Sequence, residues 1–375
     1  MNNNITVAAI KKANRNNIFM LLKRKPNLSK QDIMLELKLS LPTVTTNLNQ
    51  FLEEGLIWES GAIGNAVGRK ASTFSIVDNA RVAIGIDITK NHVSIVCVNL
   101  NGAVEYEKKL SKKFELKESY YKFVAEAIND LIVEQKYCNE QLLGVGIGIP
   151  GLVTADGNTI FYGKTMTDFS GLQIDSFQKY IASPCVFIKD ADAACLAEAW
   201  SSPEMDNIFY ISLSNYVGGS LRLYNKEYTG EGRRSAEVGH ITIIPDGLRC
   251  YCGQKGCVDP YCSALRLSEK TNENLAIFFE QLEQANSEYV KLFDDYLYYL
   301  TLAINNVRML FDCKVVLGGY VGAYLDPYME KIKEKLAKKN SFEQNGDYVQ
   351  ICKWKRNAIA AGAAILYIDQ FISGI

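Results

Sequence analysis

Histidine is almost absent from this chain: 375 residues hold two, His92 and His240. Any imidazole chemistry must rest on one of these positions. Net charge is almost absent as well, at -1 from 41 basic and 42 acidic residues, so bulk charge says nothing for a nucleic-acid partner. No stretch approaches a run of about 18 apolar residues, and no membrane span is expected. The opening Met1-Asn2-Asn3-Asn4 has no apolar signal-peptide core, which points to a reducing cytoplasm. The ten cysteines then do not read as a disulfide scaffold. Hydrophobic residues make up 48% of the chain. That is enough for a real core, and the length suits two or three domains.

What is present is concentrated. His240 closes the run Glu237-Val238-Gly239-His240, ten residues before Cys250-Tyr251-Cys252-Gly253-Gln254-Lys255-Gly256-Cys257 begins. Three thiolates and one imidazole are the donor set of a closed tetrahedral zinc site, with no position left for a catalytic water. His240, Cys250, Cys252 and Cys257 are therefore expected to hold a structural Zn2+ ion. Gly253 and Gly256 let the chain turn back so that Cys257 can join the other thiols. The alternative is four unrelated buried residues, since free cysteine is among the most buried types.

Charge is unevenly spread. Residues 1–80 carry ten basic and six acidic side chains, the remainder 31 and 36. A basic piece on an acidic body suits nucleic-acid contact by one end only. Residues 9–25 read as a helix, with Ile10, Ala13, Ile18, Leu21 and Leu22 on its apolar side and Pro26 and Asn27 ending it. Ser29 caps a second helix, partnered by Asp32. After Lys38-Leu39-Ser40 a third helix begins, with Pro42 in its first turn and Val44, Leu48, Phe51 and Leu52 as a one-sided stripe. Its other face offers Thr43, Thr45, Thr46, Asn47 and Asn49, short groups able to approach base edges. Residues 56–59 read as a strand, 61–68 as a loop and 72–77 as a return strand, with Arg69 and Lys70 in the wing. Residues 1–80 are thus expected to form a winged helix-turn-helix. Its expected contacts to double-stranded DNA are Ser40, Thr43, Thr45, Thr46, Asn49, Arg69 and Lys70. A small three-helix interaction module is the alternative.

The rest of the chain alternates strands and helices. Strands are expected at 83–88, 93–100 and 104–110, with a turn at Asn101-Gly102. A helix over 119–135, a glycine-interrupted strand over 142–149 and a strand over 185–188 running into Asp190 follow. Strands at 208–213 and 218–224 repeat the character of the first set. This pattern predicts two related α/β lobes, 81–200 and 201–375, with a cleft between them.

Asn14-Arg15, Gly68-Arg69-Lys70, Gly146-Ile147-Gly148-Ile149-Pro150-Gly151, Asp190-Ala191, Glu237-Val238-Gly239-His240 and the cysteine cluster together carry a resemblance. On them the chain resembles the ROK family (repressors, open reading frames and kinases) in its repressor branch, like the xylose repressors. The resemblance covers essentially the whole chain. It implies a two-lobed actin-like (ribonuclease H-like) sugar-kinase fold behind the winged helix, with part of the C-terminal helix returning to the first lobe. It also implies a structural zinc and assembly as dimers or tetramers.

The resemblance places Asp190 at the family's catalytic base and Lys189 where kinases carry an asparagine. A lysine beside the carboxylate is expected to pair with it and lower its basicity. The family's first phosphate loop is Asp87-Ile88-Thr89-Lys90-Asn91-His92 here, with both glycines gone. The second is Ser214-Asn215-Tyr216-Val217-Gly218-Gly219, with side chains where phosphate needs bare backbone. Kinase activity is therefore expected to be lost and Asp190 to be vestigial. A ROK-type sugar kinase with a fused DNA-binding domain is the alternative. Asp168, Lys189, Asp190, Glu237, His240 and Asp259 are the expected sugar contacts. Asp168 and Asp259 stand where the family carries Asn and Glu. A charged or amino sugar, or a sugar phosphate meeting Lys189, would suit these departures; a degenerate pocket that binds nothing is the alternative. The chain is thus expected to be a cytoplasmic, homo-oligomeric, sugar-responsive transcriptional regulator, a repressor of carbohydrate genes.

Overall fold

Local hydrogen bonds set the helix boundaries of the N-terminal head. A computed structural model describes residues 7–63, 71–164 and 168–375. Helix α1 (Val7–Arg24) leads through strand β1 (Leu28–Ser29) into α2 (Lys30–Leu37) and α3 (Leu41–Glu53). Ser29 and Asp32 form a reciprocal capping box. Ser29 Oγ accepts from the Asp32 N–H at 3.2 Å, and Asp32 Oδ2 accepts from the Ser29 N–H at 2.9 Å. Lys38 ends α2 in the left-handed region, φ 53°. Ser40 then caps α3, its Oγ accepting from the Thr43 N–H at 3.3 Å. Val44, Leu48 and Phe51 are buried among Ile18, Phe19, Leu22 and Ile33. Ile10 and Ala13 differ from the expected apolar side. Both are exposed, because the buried residues of α1 begin only at Ile18.

Strands β2 (Ile57–Ile63) and β3 (Ala71–Ile76) pair antiparallel, and β1 joins the other edge of β3. The first strand of this hairpin runs beyond residue 59, since a bulge between Glu59 and Gly61 absorbs the irregularity without ending the ladder. Arg69 and Lys70 lie outside the described residues.

The body continues through β4 (Val82–Ile88), β5 (His92–Asn99), β6 (Val104–Ser111), α4 (Glu118–Gln135), β7 (Leu142–Ile149), β8 (Leu152–Val153), β9 (Ile160–Tyr162), α5 (Asp175–Gln178) and β10 (Cys185–Lys189). Helix α6 (Asp190–Ser201) crosses to β11 (Ile208–Leu213), β12 (Val217–Leu223) and β13 (Lys226–Glu227). After the thiol segment come α7 (Asp259–Cys262), α8 (Ala264–Ser268), α9 (Leu275–Glu283), α10 (Ser287–Phe311), β14 (Lys314–Gly318), α11 (Gly319–Gly322), α12 (Met329–Ala337), β15 (Val349–Ile351) and α13 (Ala358–Gly374).

The two five-stranded sheets repeat one topology. The first has the order β10-β7-β4-β5-β6 and the second β13-β12-β11-β14-β15. In each, an antiparallel hairpin is extended on one side by parallel strands. Helix α13 returns from the second lobe to lie on the first sheet. The glycines that interrupt β4 and β7 are its seat. A Cβ at Gly85 would stand 1.8 Å from Ala360 O, and one at Gly146 would stand 2.0 Å from Ala363 O. Helices α6 and α13 pack on each other beside this sheet. The head rests on their ends. Lys23 Nζ lies 3.5 Å over the Trp200 ring at the end of α6, and Asn16 Nδ2 donates to Ile372 O of α13. No helix of the described residues is long and apolar enough to cross a membrane.

Candidate functional site: a carboxylate-lined cleft beside a thiol cluster

A cavity of about 140 Å³ opens between the lobes. The first lobe supplies Asp87 at the end of β4, Lys90 in the following turn, Pro150-Gly151 after β7, and Lys189-Asp190 at the junction of β10 and α6. The second lobe supplies Tyr216, Glu237, His240, Tyr251 and Tyr320. Strand ends from two similar sheets thus converge on one space, where parallel-stranded α/β folds place their ligands.

Lys189 is the most heavily engaged side chain there. Its Nζ donates to Glu237 Oε1 at 2.5 Å and to Gly219 O at 3.0 Å, with the residue 9% exposed. Burial alone would lower its pKa, but Asp192 and Glu237 outweigh that and hold the ammonium charged, above its ordinary value. Lys189 does not pair with Asp190, contrary to expectation. Asp190 Oδ1 accepts instead from the Ala191 N–H at 2.7 Å. The reason is local: Lys189 is the last strand residue and Asp190 the first of a helix, and the strand's end sends Lys189 across to the second lobe. Asp190 is correspondingly not made a weaker base. Burial pushes its carboxyl up to about 6, against the opposing pull of Lys189. Its neighbour Asp87 is pushed up to about 7 by burial and by Asp190.

Two expected sugar contacts stand outside the cavity wall. Asp259 is buried, and its Oδ1 accepts from the Val217 N–H at 2.6 Å. It braces the loop that carries Tyr216. Burial pushes Asp259 up to about 6. Asp168 is exposed, and its Oδ1 accepts from the Ser170 N–H at 2.9 Å in a local turn. Phe169 rather than Asp168 lines the cavity. Glu237, Lys189, Asp190 and His240 do line it together.

The two loops that the resemblance matches to phosphate cradles are held by contacts of their own side chains. In the turn after β4, the Thr89 N–H donates to His92 O at 3.0 Å, and Thr89 Oγ1 accepts from the His92 N–H at 3.1 Å. In the turn after β11, Val217 is held by Asp259, and the Tyr216 ring meets Tyr251 with centroids 4.6 Å apart at 65°.

Behind this wall the donor atoms of His240, Cys250, Cys252 and Cys257 all lie within 4.8 Å of one another. Cys252 Sγ and Cys257 Sγ are 3.8 Å apart, and Cys250 Sγ is 3.7 Å from His240 Nδ1. A tetrahedral ion with metal–sulfur bonds of about 2.3 Å holds its sulfurs about 3.8 Å apart, so the cluster can hold a metal ion. The fold-back that closes it needs glycine at 256. There φ is +78°, and a Cβ would stand 1.7 Å from Ile244 O. Burial lowers the His240 pKa, which keeps the ring neutral, as a ligand must be.

On the head, Thr46 and Asn49 are exposed on α3, with Thr43 and Thr45 half-buried on its flanks. Ser40 Oγ lies 2.8 Å from Thr43 Oγ1, so the two act first as the helix cap. Arg15 contributes structurally. It pairs with Glu54 at 2.6 Å, donates to Gln50 at 2.9 Å and stacks over Phe51 at 4.2 Å, tying α1 to the end of α3.

Asp87, Tyr162, Tyr251 and Tyr320 line the cavity without having been singled out as contacts by the sequence. Asp87 had a usable signal, as the last polar residue of an apolar strand. The tyrosines had none, since they reach the cleft from three separate segments.

Comparison with known proteins agrees with this architecture. The sequence model of the ROK family matches residues 83–370, and a winged helix-turn-helix DNA-binding model matches residues 14–57. The xylose repressor of Bacillus subtilis (strain 168) is 22% identical over 375 residues, covering 98% of this chain and 97% of that protein. A solved ROK family transcriptional regulator, a homologue of the Escherichia coli MLC protein, aligns with a TM-score of 0.78 at 20% identity over 97% of each chain. A ROK family glucokinase from Streptomyces griseus aligns with a TM-score of 0.61 at 23% identity, over 76% of this chain and 98% of its own. The kinase thus covers about three quarters of this chain, and the regulator nearly all of it. With the family's pattern running through both lobes and a winged helix before them, the chain belongs to the ROK family.

Proposed function

We propose that this chain is a sugar-responsive DNA-binding transcriptional regulator, a repressor, that binds its effector in the interlobe cleft and no longer transfers phosphate. One observation carries the reading. Asp190 and Glu237 line one cleft, and the two turns that the resemblance matches to phosphate loops carry a Thr89–His92 closure and the Tyr216 ring in place of glycine backbone. The xylose repressor that covers the whole chain supports the role by its name. Carboxylates hold sugar hydroxyls through charge-assisted hydrogen bonds. Glu237, Lys189, Asp190 and the His240 wall would make the contacts, with Asp259 and Asp168 shaping the loops around them.

In this reading residues 1–80 are the DNA-binding domain, and 81–200 and 201–375 are the lobes. Two heads of a homodimer occupy half-sites of an inverted repeat, each α3 in a major groove, through Ser40, Thr43, Thr45, Thr46 and Asn49 with Arg69 and Lys70. His240, Cys250, Cys252 and Cys257 hold a structural zinc, for which three thiolates and an imidazole are the matching donor set. The protein works in the cytoplasm, where its DNA is. To regulate, the sugar must bind one lobe arrangement better than the other, with a coupling of about 1–3 kcal/mol.

A second reading, a sugar kinase with a fused head, draws on Asp190, whose carboxyl burial holds at about 6, a value suited to a general base. A coupled assay for ADP release across a hexose panel separates the two. The regulator shows no turnover on any sugar that raises its melting temperature. Turnover at ordinary enzyme rates would establish the kinase instead.

A further inference from the structure

Tyr251 stands where the thiol segment meets the cleft. It lies between Cys250 and Cys252, in a turn closed by the Gly253 N–H to Cys250 O at 3.0 Å and the Cys250 N–H to Gln254 O at 2.9 Å. Its side chain joins the cavity wall, 43% exposed. The hydroxyl is 3.1 Å from His240 Nε2. The ring meets those of His240 and Tyr216 edge-on, with centroids 5.2 and 4.6 Å away.

The two nitrogens of His240 decide what this contact does. Nδ1 lies 3.7 Å from Cys250 Sγ and so faces the thiol cluster. A neutral imidazole that binds metal through Nδ1 carries its hydrogen on Nε2. In that tautomer the Nε2–H donates to Tyr251 Oη, and the phenol O–H is free to donate to a ligand. Nε2 is engaged by Tyr251, so a sugar reaching the His240 wall meets the tyrosine there. The polar group remaining on this wall is the tyrosine hydroxyl, in front of an aromatic face.

We infer that Tyr251 is the residue of the metal-side wall that touches the sugar and sets which sugar fits. The inference rests on the sugar-binding reading of the cleft and adds a residue that the reading did not need. A phenol in front of His240 narrows the cavity on that side. Its O–H donates one hydrogen bond to a ring hydroxyl, and its face packs against the C–H side of a pyranose. The metal loop then has a job beyond bracing. Ligands on both sides of Tyr251 hold its backbone still, and with it the shape of the pocket.

Full-length Tyr251→Phe and Tyr251→Ala proteins test this beside the unaltered chain. Free pentoses, hexoses, 2-acetamido hexoses and hexose 6-phosphates are ranked by thermal shift, the best is measured by calorimetry, and zinc is counted by atomic emission. Both variants are expected to keep the zinc content of the unaltered chain. Tyr251→Phe should bind the preferred sugar about threefold to tenfold more weakly, the effect of one lost hydrogen bond. Tyr251→Ala should move the ranking toward sugars with an added substituent. An unchanged ranking and affinity in Tyr251→Ala overturns the inference while leaving the sugar reading intact. Loss of zinc from Tyr251→Phe overturns it too, making the residue a brace of the metal loop. If the unaltered chain binds none of the panel, the sugar reading itself falls and this inference with it.

Discussion

Lys189 carries a positive charge into a cleft of carboxylates, and its partner choice governs the chemistry there. By pairing with Glu237 rather than Asp190 it ties the first lobe to the second. Lys189→Met would leave Glu237 and Gly219 O without their donor. For a largely buried pair the loss should be about 2–4 kcal/mol, measured as a lower denaturant midpoint; a shift below about 0.5 kcal/mol would show the pair to be solvated. Asp87 gives a prediction of opposite sense. Burial and the neighbouring Asp190 push its folded carboxyl up to about 7, above its ordinary range. A raised acid favours the folded state while protonated and loses that advantage as pH rises through the folded value. The advantage of Asp87→Asn over the unaltered chain should therefore grow between pH 5 and pH 8, by about 1–2 kcal/mol once water in the open cleft is allowed for. Melting curves across that range check it, and a pH-independent difference would contradict the burial of Asp87.

At the scale of elements, what could be read in advance was local. The capping box at Ser29, the stripe of Val44, Leu48 and Phe51, and the thiol spacing each lie within one helix or turn. Such patterns depend on chain geometry alone. The Lys189–Glu237 pair spans 48 residues and the Asp259 brace on Val217 spans 42, so neither had a local signature. The run Cys257-Val258-Asp259 places Asp259 among the sugar contacts by sequence alone. Only the fold shows its carboxylate turned to a backbone amide, out of the cavity wall. The thiol segment is the element most open to test. Cys252→Ser should lose metal and sugar response together, followed by atomic emission and thermal shift. Full sugar affinity without metal would show that the ion is not needed to hold the wall of the cleft.

Across the whole molecule, helix α6 runs from the cleft to the head, beside α13. Helix α6 begins at Asp190 in the cavity and carries Trp200 in its last turn beneath Lys23 of α1. Lys23 is deeply placed there: burial pulls its pKa down to about 8, against the attraction of Asp369 on α13. A change in lobe angle that shifts α6 against α13 must therefore shift the seat of the head. Trp200→Ala should leave sugar affinity within about twofold while lowering the sugar's effect on DNA affinity by fivefold or more; an intact effect would move the coupling route elsewhere.

The central claim joins sugar and DNA in one chain. Its most direct test is fluorescence anisotropy of a labelled duplex from the chain's own promoter region, titrated with full-length protein at two salt concentrations. The titration is run with and without the sugar that most raises the melting temperature. The expected result is binding that weakens steeply with salt and a sugar-induced change in affinity of about fivefold or more. Duplex binding that is absent at low salt, or present and indifferent to the sugar, would contradict it.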